Sequence, residues 1–240
     1  MTLYQFIVAT HAAIGMIALA CFWMAALLRK GSVLHRRVGQ VYLLAMVGIC
    51  ITGAPLAGSH FIDGHVVTGA FLSYLLLLLL VATWSGWRAA RDKHDVARYT
   101  GTMYVIGAWM LLAAGASMMA LGVFKASPLI AGFSIIGLYA GYDSLRRRRS
   151  MSQHPRWWLR EHYSAMFGTG VATHIAFLTI GLPRLLPMLD GPVLHYAAWF
   201  APLLVAQIAT VVQDRKHRAA AMQDRSPRPP TPPAARASTG

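Results

Sequence analysis

Seven stretches of this chain run for some twenty residues each with almost no charge, and short turns or charged loops separate them. A bilayer core about 30 Å thick takes roughly 20 mostly apolar residues per helix. The stretches are Leu3–Leu28, Gly39–Gly58, Val66–Trp87, Gly101–Val123, Pro128–Leu145, His162–Leu182 and Val193–Gln213. None alternates apolar and polar residues over about ten positions, as a barrel strand must. The expectation is an all-helical, polytopic bundle of seven transmembrane helices over residues 1–213, with the lipid bilayer as its main partner. Composition agrees: 12% of the 240 residues are charged and 56% are hydrophobic, where soluble proteins run to about a quarter charged. Such a chain is too apolar to be disordered. It also lacks the polar surface on which a nucleic-acid binder carries its basic stripe.

The charges that remain are one-sided. Twenty of the 22 Lys and Arg residues fall in the loops after the first, third and fifth stretches, at the start of the sixth, or in the tail; Lys125 and Arg184 are left on the other side. Basic residues stay in the cytoplasm, so the expected topology is N-out and C-in, and the net charge of +14 needs no acidic partner. The first stretch has no basic leader and no small-residue cleavage site after it, so it reads as a retained helix. Two cysteines, Cys21 and Cys50, do not make a disulfide framework. Residues 214–240 are basic and, from Ser226, Pro-rich. They are expected to form a disordered cytoplasmic tail.

An internal echo runs through the helix starts. Arg36-Arg37-Val38-Gly39-Gln40-Val41-Tyr42 opens the second stretch, and Arg98-Tyr99-Thr100-Gly101-Thr102-Met103-Tyr104 opens the fourth, 62 positions later. Gly53 and Ala54 return as Gly115 and Ala116, and a further step of 62 lands on Arg160. Arg at the headgroups, Gly at a close helix approach and Tyr at the interface explain the residue types. Stretches one and two, three and four, and five and six would then be hairpin repeats with a lone seventh helix. Coincidence among common helix-start residues is the rival explanation.

The ten histidines carry the functional question, because ionisable groups inside a membrane mark cavities, cofactors or partners. His11 and His174 each lie eight residues from the outer end of their stretch, which places them at matched depth on different helices. Two such imidazoles could ligate a b-type haem on its two faces. His35 and His162 would be a second, inner pair, although His162 and His174 stand about 120° apart around their helix. Interhelical hydrogen bonds account for the same residues without a cofactor. His60, Asp63 and His65, with His195, could hold an outer-face metal, or could be solvated loop residues. Met166, Thr169, Thr173 and Phe177 share a stripe of the sixth helix with His162. No H-E-x-x-H, G-x-S-x-G or phosphate-cradling motif points to an enzyme.

Three blocks carry a family likeness. They are His11 with Gly15; Leu34-His35-Arg36-Arg37-Val38-Gly39-Gln40-Val41-Tyr42; and Trp158-Leu159-Arg160-Glu161-His162 with Met166, Ala176 and Phe177. Together they resemble the bacterial predicted membrane proteins grouped as domain of unknown function 2306, over roughly residues 5–182. The resemblance implies a multi-pass protein of the bacterial inner (plasma) membrane and carries no settled activity. His174 departs from it, standing where a small or hydroxyl residue is expected. Two functions stay open: a b-type haem-binding or redox-linked protein using His11, His174, His35 and His162, or a small-solute transporter or sensor built from hairpins. An outer-face metal hydrolase is a third.

Overall fold

The computed structural model describes residues 2–186, 188 and 191–223. Its elements are α1 (Leu3–Leu27), α2 (Val33–Ile62), α3 (Val66–Arg91), the single turn α4 (Val96–Tyr99), α5 (Thr102–Phe124), α6 (Pro128–Arg148), α7 (Trp157–Ala176), α8 (Leu182–Leu185) and α9 (Pro192–Gln223). A π-helical turn, Phe177–Gly181, joins α7 to α8. No strand occurs among the described residues. Six helical stretches are long and apolar enough to cross a membrane: Leu3–Leu27, Val33–Ile62, Val66–Arg91, Thr102–Phe124, Trp157–Gly181 and Val193–His217. The protein is thus a multi-pass helical membrane protein. The 21-residue α6 has the length but is less apolar, because Asp143, three glycines and two tyrosines dilute it.

Helix ends follow local chemistry. The Thr2 hydroxyl accepts from Gln5 N–H while the Gln5 side chain accepts from Thr2 N–H, a reciprocal cap on α1. Ser32 caps α2 by accepting from His35 N–H. The second helix therefore starts at Val33, six residues before the apolar stretch, and takes Arg36 and Arg37 onto its first turns. Lys30 donates to the carbonyls of Ala25 and Ala26, neutralising the negative end of α1. Gly31 and Gly64 take φ of 78° and 79° in the two turns that flank α2, where a Cβ would be strained. At the far end of the chain α9 continues to Gln223. Residues 214–223 of the expected tail are therefore helical, and 224–240 lie outside the described residues.

Small residues set the closest packing. A Cβ on Gly122 of α5 would sit 2.6 Å from Ala131 N, and one on Gly141 of α6 would sit 2.6 Å from Ala108 O. The α5 and α6 backbones therefore touch, which compensates for the lack of a hydrophobic driving force between helices in lipid. The α1–α2 pair is also tightly packed, and α3 lies between α2 and α7, with α9 against α7. Only the first of the three expected hairpins is thus a main packing unit. The α3 helix meets α7 far more than α5, and the α6 backbone barely meets α7. The outside of the bundle is apolar, with Leu44, Ile51, Met103, Leu204 and Val205 exposed. A soluble monomer does not present so wide an apolar surface.

Candidate functional site

Among the described residues, Arg88, Arg98, Arg147 and Arg160 gather acidic side chains near the helix ends. Glu161, on the first turns of α7, is 7% exposed. It accepts a hydrogen bond from Tyr99 Oη at 2.9 Å and pairs with Arg147 Nε at 3.3 Å. Arg147 also meets Asp143 one turn back on α6, at 3.1 Å. Tyr99 is fully buried against Trp157, with ring centroids 4.7 Å apart. Burial, then the Glu161 carboxylate, push its phenol well above the ordinary range, so it stays a donor. Asp92, at the end of α3, is buried between Arg88 and Arg98. A second knot ties α9 to α7. Arg160 Nε reaches both Asp214 carboxylate oxygens at 3.1 and 3.2 Å, Tyr163 Oη donates to the same group, and His217 stacks on the Tyr163 ring.

Between these two knots opens a cavity of about 840 Å³. Its walls come from the end of α6, the α6–α7 connection, the first turns of α7 and the end of α9. Arg146, Arg147, Arg156 and Arg160 line it with Asp143, Glu161 and Asp214, and His154 and His217 add two imidazoles. The volume falls in the range of small-molecule sites. Arginines already held by carboxylates are fixed in place, so their remaining donors are oriented before a ligand arrives.

The histidines are placed differently from the expected outer pair. His174 Nδ1 donates to Gly170 O at 2.7 Å, and its Nε2 accepts from Trp23 Nε1 at 3.1 Å. Both ring nitrogens are thus hydrogen-bonded. Trp23 follows His11 by twelve residues on α1, about 18 Å along the axis, so His174 does not share the level of His11. His11 Nδ1 lies 2.8 Å from Thr52 Oγ1, whose own hydroxyl donates to Gly48 O. These two residues make interhelical hydrogen bonds rather than a shared slot.

Both histidines of the expected inner pair bond to backbone carbonyls. His35 Nδ1 is 3.1 Å from Ala25 O, and His162 Nδ1 is 3.0 Å from Gly86 O. Carbonyls only accept, so each Nδ1 carries a hydrogen. At the opposite end, His60 and His65 stand 6.2 Å apart between ring centroids. His195 packs on Tyr196 and Trp199 instead, and Asp63 caps the end of α2. Among the described residues no group of three or more His, Cys, Asp or Glu could hold a metal ion, so the outer-face metal centre does not assemble.

Glu161, Asp143, Asp214, Arg147 and Tyr163 are the candidate site residues that histidine counting passes over. Their signal was scarcity. Only eight acidic residues occur in the chain, and four of them, Asp92, Asp143, Glu161 and Asp214, bind arginines at this one end. The chain matches no family model, no curated protein and no solved structure.

Proposed function

We propose that this is a seven-span protein of the bacterial inner membrane, periplasmic at its N-terminus and cytoplasmic at its C-terminus, that binds a small anionic solute as a transporter or sensor. The cavity of about 840 Å³ between α6, α7 and α9 carries this reading. It lies at the end where the positive-inside rule puts the cytoplasm, and α6 would be the seventh span, shielded by its backbone contact with α5. Membership of the domain of unknown function 2306 family rests on the three blocks named above, two of which supply Arg160, Glu161 and His35. Among the described residues, four arginines and three carboxylates line the cavity, a lining that suits an anionic ligand. Titrating purified protein calorimetrically with small carboxylates, phosphates and amines tests the proposal. Binding of anions alone, weakened by Arg160→Gln, is expected; binding of amines or of nothing removes it.

The Nδ1–H bonds of His35 and His162 to backbone carbonyls favour a second reading, a haem b or redox role at the inner pair. Backbone carbonyls holding Nδ1–H are the usual outer partners of metal-bound imidazoles. Haem-replete expression should then give a Soret band that disappears in His162→Ala. A colourless protein ends this reading and leaves the solute site standing.

A further inference from the structure

A second, smaller hollow lies on the outside of the bundle, at the seam between α5 and α6. It measures about 470 Å³ and is lined by Thr100, Trp109, Leu145, Arg148 and Arg149. Unlike the cavity above, it has no acidic side chain in its wall. Its apolar part is Leu145 and the indole of Trp109, which is 59% exposed seven residues into α5, about 11 Å from the helix start. Its charged rim is the end of the run Arg146–Arg149. Arg148 is aimed by its own backbone partner: Nε donates to Thr100 O at 3.1 Å, leaving the two terminal amino groups for another acceptor. Arg149 is exposed beside it.

We infer that this seam is a binding site for an anionic phospholipid of the leaflet that meets the basic end of the bundle. The phosphate would sit between Arg148 and Arg149, where guanidinium groups can offer paired donors. One acyl chain would run along Leu145 and Trp109, the depth at which tryptophan marks the headgroup boundary. The match is one of charge and polarity along a single axis: cationic at the rim, apolar for about 11 Å below it, with nothing negative to repel the phosphate. Basic pockets between helices on the cytoplasmic side recognise anionic headgroups by the same physics.

Native mass spectrometry of the full chain released from detergent tests this, with phosphatidylglycerol, phosphatidylethanolamine and inorganic phosphate offered in turn. Phosphatidylglycerol should be retained in preference to phosphatidylethanolamine. Arg148→Gln with Arg149→Gln should cut that preference about thirtyfold, while Arg36→Gln with Arg37→Gln at another edge of the same end should leave it intact. Equal loss in both double variants would reduce the site to general surface charge. Competition by inorganic phosphate as strong as by lipid would make it a free-anion site. If the double variant does not fold, quenching by brominated phosphatidylglycerol replaces it. A wild-type quench that shrinks in Trp109→Phe supports the site, and an unchanged quench overturns it.

Discussion

The two ends of the bundle are closed by different chemistry. At the basic end, Tyr99, Glu161, Arg147 and Asp143 join α4, α6 and α7 through ions, and Asp214 joins α9 to α7 the same way. At the other end α3, α6 and α9 meet through aromatic rings and one buried hydroxyl, since Tyr74 Oη donates to Phe133 O at 2.9 Å. Phe133 contacts Phe71 at 5.8 Å, Trp199 at 5.2 Å and Phe200 at 5.6 Å between centroids. The difference follows from what surrounds the helices. Lipid competes well with apolar packing, since hydrocarbon is as apolar as a side chain. It cannot solvate a carboxylate, so an ion pair once formed inside has no alternative partner.

The largest test removes one ion. Glu161→Ala leaves Arg147 with Asp143 alone and Tyr99 without its acceptor, and should cost about 3–5 kcal/mol, read as a drop in the thermal unfolding midpoint in detergent. Phe133→Ala at the opposite end should cost less, about 2 kcal/mol, because lipid or detergent fills part of the gap that water leaves empty in soluble proteins. A larger loss for Phe133→Ala than for Glu161→Ala breaks the comparison. Next comes the midway contact: Trp23→Phe deletes the donor to His174 and should cost about 1 kcal/mol, with no change in visible absorbance. Smallest globally is Asp214→Asn, where Arg160 is more than a third exposed; the midpoint should move by less than about 1 kcal/mol. Hydrogen exchange should nonetheless quicken along the end of α9, since the knot with α7 is local. Unchanged exchange there would show that apolar contacts alone seat α9.

Much of the fold is legible in the sequence. A twenty-residue apolar run has few ways to satisfy its backbone in a membrane other than a helix, and all seven expected stretches fall on helices. The ends were less legible, because caps such as Ser32 and side chains such as Lys30 add turns beyond the apolar core. The candidate site was hardly legible. Asp143 reads as a ragged span boundary and Glu161 as part of a family block. Their meeting through Arg147 depends on how α6 and α7 approach at one end, for which no residue spacing is a guide.

The histidines show the division most sharply. Their number and their place on membrane helices are properties of the chain, and so is the twelve-residue spacing that argued against two stacked layers on α7. Partnership is not. Depth counted from helix ends assumes that all helices begin at one plane, whereas α7 is set along α1 so that His174 meets Trp23 and not the level of His11. Apolar runs determine which segments can cross, because transfer into lipid acts on each segment separately. Only the tertiary structure decides which ions share a cavity, because axial offset and neighbour choice come from backbone contacts such as Gly122 on Ala131. Such contacts leave no periodic trace in the chain.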